Sequence, residues 1–426
     1  MIGSLIPRKN PTHREMEMNV TRWTLTLVLL FGLYSCGSTD DANNDAGSDT
    51  TALDQTQTSD SCTEDLAFDL VEDIDLGPRD YHGWGPYAVG HTKITVEDTA
   101  RSRSFAVEIW YPADPALKAD MEPGLPMKSL LVDGAKLTAL GPVLDAAPAE
   151  CTTQLVHAIR DAAPSGSKWP LVLYSHGTNC ARFANVTSAE RLASHGIAVA
   201  APDHEGGTIF DRINGDTATL GEEFLDIRAE DIRTTTTVLL DADDDTVPEP
   251  LRGKFDSSKV GIFAHSFGAG SMGLVLTRDP RFIAAMSHAA PINQQISDEV
   301  DLTKTNAKVA LLIAQEDHMM TKLGNMLAHN DFLQMPGDGW YIEVKDAGHF
   351  SFMDFCKLDD GFADCCGDAE RITQAGEPFE YIPQPDGLEL AAFYTVAFFS
   401  ATLLDDEEAA AAITQDSNQW TDIEVK

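Results

Sequence analysis

Basic residues are scarce in this chain: 30 Lys and Arg stand against 68 Asp and Glu over 426 residues, a net charge of −38. Such a surface repels phosphate backbones and anionic headgroups, so nucleic acid is not an expected partner. The acidic clusters at 40–49 and 243–245 lack the spacing of an EF-hand loop and read as solvated surface. There is no CxxC pair with a matching histidine set, which speaks against a structural zinc site. No internal repeat occurs, so a solenoid or propeller is not expected. The apolar run Trp23 to Leu33 is too short to cross a bilayer as a helix. What remains is a chain with 43% hydrophobic residues, enough for one large core plus appendages.

That apolar run, preceded by Arg22, has the length of a signal-peptide core, and residues 1–35 are expected to be removed. It ends in Leu33-Tyr34-Ser35-Cys36-Gly37, which resembles a bacterial lipobox, so Cys36 is the expected lipid attachment point and membrane anchor. Ordinary secretory cleavage without lipidation is the alternative, and Met18 competes with Met1 as the start. Losing residues 1–35 removes four basic and two acidic residues, moving the charge from −38 to −40. Residues 36–61, rich in Ser, Thr, Asp, Asn and Gly, read as a disordered tether, and 62–426 as the folded domain. With Cys36 lipidated, six cysteines remain (62, 151, 180, 356, 365 and 366), and the fifteen possible pairings stay open.

From Tyr81 onward strands alternate with helices, the pattern of a mostly parallel sheet covered on both faces. Residues 91–96 and 105–110 are expected to pair as an opening hairpin. Short apolar runs at 171–175, 197–201, 260–264 and 309–314 suit strands buried on both sides, with further strands at 282–286 and 340–344. Helices are expected near 189–195, 222–240, 268–277 and 388–404. The seven prolines from Pro112 to Pro164 mark 113–168 as an insertion, either a lid or a passive excursion, with a helical patch at 151–160.

The strand 260–264 runs into His265-Ser266-Phe267-Gly268-Ala269-Gly270 and then a helical pattern. A sharp strand-to-helix turn lifts a serine oxygen above the sheet edge, and small neighbours let the backbone bend. Ala264 stands where glycine is usual. A serine hydroxyl needs a base held by a carboxylate, and the order serine, acid, histidine suits this arrangement. Asp317 follows strand 309–314, and His349 follows strand 340–344 in Ala347-Gly348-His349-Phe350. Both fall where open α/β sheets place their sites. Glu316 competes as the acid, and His318 and His329 as the base. A tetrahedral intermediate needs preorganised N–H donors; Phe267 and Thr178, in Ser175-His176-Gly177-Thr178, are the candidates. His265 is expected to be structural and to point away from the active face; His204 is open between pocket and packing. A metal held by His176, His204 and His349 is an alternative that the serine arrangement makes unnecessary.

Gly85-Pro86-Tyr87-Ala88-Val89-Gly90, Trp110-Tyr111-Pro112, Ser175-His176-Gly177, Leu192-Ala193-Ser194-His195-Gly196, Ala201-Pro202-Asp203-His204, His265-Ser266-Phe267-Gly268 and Gly348-His349-Phe350 together resemble the bacterial predicted dienelactone hydrolases. That group is similar to the plasma-type platelet-activating-factor acetylhydrolases and, more distantly, to cutinase-like polyester hydrolases. The resemblance spans roughly 81–404. It implies the α/β-hydrolase fold and cofactor-free hydrolysis of carboxylic esters through an acyl-enzyme on Ser266, with His349 as base and Thr178 and Phe267 as oxyanion donors. The acetylhydrolases place their acid after the strand corresponding to 282–286, where this chain has Ser287-His288, so Asp317 is favoured. The expected substrate is a small or lipid ester outside the cytoplasm. Polyester depolymerisation, peptidase activity and a non-catalytic surface binding role are the competing functions.

Overall fold

The computed structural model describes residues 80–131, 133–149, 151, 155–166 and 168–426. The signal segment, the tether, Cys36 and Cys62 lie outside the described residues.

Ten strands form one sheet: β1 (Ala88–Asp98), β2 (Arg103–Ala113), β3 (Ile159–Arg160), β4 (Trp169–Ser175), β5 (Ala198–Pro202), β6 (Phe255–His265), β7 (Phe282–His288), β8 (Lys308–Ala314), β9 (Gly339–Val344) and β10 (Thr421–Val425). Their order is β10-β9-β8-β7-β6-β4-β5-β2-β1-β3. The expected hairpin pairs antiparallel from Ala88 opposite Ala113 to Asp98 opposite Arg103. From β5 through β9 all pairs are parallel. Their carboxyl ends therefore share one edge, with Ser175 level with Ala264 and Ala314 level with Val344.

Every residue of β4 is buried, and its side chains divide between the two cores. Val172 and Tyr174 face one, with Val186, Leu192, Phe393 and Phe399; Leu171 and Leu173 face the other, with Ile232, Met272 and Phe332. The period-two alternation of a strand explains that division. Helices Val186–Ser194 and Gln384–Leu403 cover the first face; Glu222–Leu240, Phe267–Arg278 and Thr321–Gln334 cover the second.

Several local readings differ from the sequence analysis. The helical patch at 151–160 is absent among the described residues, where Leu155–Val156 and Ile159–Arg160 are short strands instead. The Glu190 carboxylate accepts the His157 and Ala158 N–H groups at 3.0 and 2.9 Å, and Ile159 pairs with Gly90. Those backbone groups are thus committed to partners that no helix of residues 151–160 would supply. The helix of this region lies earlier, at Gly134–Ala146. The edge strand β10 and the helix Thr321–Gln334 were not foreseen.

Two disulfides join Cys151 to Cys366 and Cys356 to Cys365, while Cys180 is a buried free thiol. The first ties residues 114–168 to the segment that follows His349.

Candidate active site

Ser266 sits between β6 and the helix beginning at Phe267, with φ 55° and ψ −125°. A non-glycine residue in that region is strained and persists where its surroundings hold it. Here they do: the Ser266 N–H donates to His288 O at 3.1 Å, and its carbonyl accepts from Ala269 N–H at 2.9 Å and Gln294 Nε2 at 2.8 Å. A Cβ on Gly268 would lie 2.1 Å from the carbonyl oxygen of Ser175, so the elbow packs against the end of β4 at a distance that only glycine permits. Ala264, in the position where glycine is usual, is completely buried.

His349 Nε2 lies 2.8 Å from Ser266 Oγ, and His349 Nδ1 lies 2.7 Å from Asp317 Oδ2. Ser266 is 5% exposed and His349 1%, so the chain of bonds is almost dry. The other Asp317 oxygen accepts the Met319 and Met320 N–H groups at 2.9 and 2.7 Å, which fixes the carboxylate from behind. Burial alone would push the His349 imidazolium down, but the Asp317 carboxylate and its hydrogen bond carry the pKa above the ordinary histidine value.

The competing residues are engaged elsewhere. Glu316 accepts from Arg371 Nη1 at 3.0 Å and from the Ile372 and Thr373 N–H groups at 2.7 and 3.1 Å. His318 bonds Asp364 through Nδ1 at 3.0 Å and the Glu370 carbonyl through Nε2 at 2.9 Å. His329 pairs with Glu424 at 2.8 Å near the sheet edge.

His265 is structural, as expected, but its expected direction needs correction. It does not point away from the site: its Nε2 donates to the His349 carbonyl at 2.8 Å, supporting the histidine loop from below. His204 is a packing residue, fully buried, with Nε2 3.1 Å from Ser175 Oγ and Nδ1 3.4 Å from Asp231 Oδ2. His176 bonds Gly177 O through Nδ1 at 2.7 Å and accepts the His204 N–H on Nε2 at 3.0 Å. The ring nitrogens of His176, His204 and His349 thus all have protein partners.

The turn His176-Gly177-Thr178 lies directly against the serine: a Cβ on Gly177 would be 3.1 Å from Ser266 Cβ. Among the described residues neither the Thr178 nor the Phe267 N–H donates to a protein acceptor. The two expected donors therefore flank Ser266 with their N–H groups uncommitted.

Several residues at the site were not anticipated. Asp364 Oδ2 accepts the His349 N–H at 3.0 Å, and the Asp364 carbonyl accepts the Phe350 N–H at 3.0 Å. Tyr381 OH donates to the same carboxylate. Only the adjacent Cys365 and Cys366 hint at the importance of this segment. Arg228 was also passed over, although an arginine four residues from both Phe224 and Ile232, on the apolar face of an expected helix, is a legible anomaly.

A family model described as platelet-activating factor acetylhydrolase, isoform II, matches residues 79–210. That range contains the Ser175 turn and ends before Ser266. Two curated relatives are platelet-activating factor acetylhydrolases: one from Cavia porcellus, 24% identical over 224 residues, covering 45% of this chain and 50% of the relative. The other, from Bos taurus, is 26% identical over 174 residues, covering 32% of this chain and 39% of the relative. The chain thus spans half or less of the length of these relatives. Among solved structures, a ferulic acid esterase from Streptomyces cinnamoneus superposes with a TM-score of 0.54 at 20% identity, covering 75% of this chain and 91% of that one. Taken with the sheet order and the strand–turn–helix around Ser266, these matches make the chain an α/β-hydrolase similar to the platelet-activating factor acetylhydrolases.

Proposed function

We propose that the protein is a serine carboxylic-ester hydrolase that works through an acyl-enzyme on Ser266. The observation that carries this reading is the unbroken, buried chain from Ser266 Oγ through His349 to Asp317, at 2.8 and 2.7 Å. Neutral His349 takes the hydroxyl proton as Ser266 attacks the ester carbonyl, and Asp317 holds the ring and the imidazolium that forms. The Phe267 and Thr178 N–H groups receive the oxyanion. His349 then protonates the departing alcohol, and a water activated by the same base releases the acid.

The substrate class is a small or lipid ester. The names of the two relatives, acetylhydrolases, favour a short acyl group. The position at the end of β7 that carries the acid in the acetylhydrolases is Ser287-His288 here, and Asp317 takes that role. The enzyme acts outside the cytoplasm, anchored through a lipid on Cys36; the two disulfides support an oxidising compartment.

Hydrolysis of p-nitrophenyl esters from acetate to palmitate, by the protein and by Ser266→Ala, tests the proposal. Loss of the nucleophile should lower turnover on the order of a millionfold. Folded protein that cleaves no ester, or that keeps its activity in Ser266→Ala, sinks it.

A further inference from the structure

Arg228 lies in the middle of the helix Glu222–Leu240 and is completely buried. A buried guanidinium is ordinarily matched by a carboxylate, because a charge left unpaired in a dry interior is expensive. Arg228 departs from that rule. Its hydrogen bonds go to the His176 carbonyl and, at 3.4 Å, to Ser175 Oγ, while its Nε and Nη1 are buried without a protein partner among the described residues. The nearby Asp231 carboxylate is occupied by Arg101 and Arg103, each at 2.9 Å. The guanidinium carbon instead lies 5.2 Å from the ring centre of Phe267 and 5.8 Å from that of Phe224, two rings stacked within 15° of parallel.

Two of the groups that Arg228 touches, the His176 carbonyl and Phe267, belong to the oxyanion-binding machinery proposed above, on which this inference rests. Phe267 carries one donor, and the His176 carbonyl begins the turn that carries the other. The next carbonyl of that turn, Gly177 O, is bonded by His176 Nδ1 at 2.7 Å. The His204 N–H can only donate, so His176 Nε2 is the acceptor of that 3.0 Å bond and the proton sits on Nδ1. In a planar trans peptide the Thr178 N–H points opposite to the Gly177 carbonyl. With one carbonyl held by Arg228 and the next by His176, the Thr178 N–H has one direction left to it.

We propose that Arg228 is a positioning residue for ester hydrolysis: with His176 it locks the two peptide planes that aim the Thr178 N–H, and it keeps a positive charge beside Phe267 and the turn that leads to Thr178 as the oxyanion forms. A favourable field of this kind strengthens in a water-excluded site, where the charge is not screened. Burial lowers the Arg228 pKa to about 9, which leaves it charged at neutral pH.

The test is the hydrolysis of p-nitrophenyl butyrate by full-length wild type, Arg228→Lys and Arg228→Met, with kcat expressed per active site titrated by a fluorophosphonate. Inhibition by a trifluoromethyl ketone, which mimics the tetrahedral adduct, is measured alongside. Arg228→Met should lower kcat on the order of 100-fold, with KM within about threefold, and weaken the ketone by a similar factor. Arg228→Lys, which keeps the charge, should recover about tenfold of that loss. A purely structural arginine would lower the titre and the melting temperature yet leave kcat per site and ketone affinity unchanged, and that result overturns the inference. Should the Met variant fail to fold, the Lys variant decides alone: about a tenfold loss of kcat per site supports the inference and an unchanged kcat overturns it. Wild type without Ser266-dependent hydrolysis overturns the ester-hydrolase reading and this one together, whereas an active wild type with unaffected Arg228 variants overturns this one only.

Discussion

The two halves of the candidate site are held by different means. The serine half is held by backbone shape: Ser266 at φ 55°, Gly268 pressed on the end of β4, and Gly177 pressed on Ser266. The histidine half is held by side chains and cross-links. His349 hangs between the Asp364 carboxylate on its N–H and His265 on its carbonyl. The next two residues after Asp364 are Cys365 and Cys366, bonded to Cys356 and Cys151. A backbone device is local and tolerates no change of side-chain volume. A side-chain device is assembled from distant segments and can be dismantled piece by piece.

The largest expected effect comes from breaking the backbone half. In Gly268→Ala the new methyl would lie 2.1 Å from a main-chain oxygen that cannot rotate away. Urea denaturation should report a loss of at least about 3 kcal/mol, and the folded remainder should be inactive. An active, stable Gly268→Ala would mean that the elbow has slack.

At the junction of the halves, Asp317→Asn should lower kcat on the order of 10⁴-fold with the fold intact. It should also move the acid limb of the kcat profile. With neutral His349 as the proposed base, turnover should rise as the pH climbs through its raised pKa, and removing the Asp317 charge should shift that limb to lower pH. Glu316→Gln, whose carboxylate serves residues 371–373, should stay within about threefold of wild type. The reverse outcome in this pair would reassign the acid.

Within the histidine half, Asp364→Ala removes the acceptor of the His349 and His318 N–H groups and of the Tyr381 hydroxyl. About 2 to 4 kcal/mol of stability should be lost, and kcat should fall roughly tenfold or more as His349 loses its register. The smallest effect on turnover is expected from Cys366→Ser. Opening that disulfide should cost about 3 kcal/mol by thermal or urea unfolding, with kcat changed by less than about fivefold while Cys356–Cys365 remains. A large kcat loss there would show that the tie to residues 114–168 also aligns the site.

The same contrast explains what could be read from the letters. The runs 171–175, 260–264 and 309–314 are buried strands because each is a continuous apolar segment of strand length, and the helix Glu222–Leu240 has the bounds its pattern gives. The patch at 151–160 looked helical because its composition permits a helix, but its N–H groups are claimed by Glu190 and its backbone by β1. The strand β10 was missed because five residues at a sheet edge, none of them buried, carry little apolar signal beyond the alternation of Ile423 and Val425.

The sequence by itself determined the order of the central parallel strands, the strand–turn–helix at Ser266 and the placement of Asp317 and His349 after later strands, because each depends on neighbours within a few residues. Tertiary structure alone decided that Asp317 and not Glu316 meets His349, that His265 reaches the His349 carbonyl, that His204 packs rather than lines the site, that Cys366 pairs with Cys151 across 215 residues, and that Arg228 meets the turn at His176. Those choices rest on distances between segments far apart in the chain, and such distances exist only once the sheet has formed and its edges have brought the loops together.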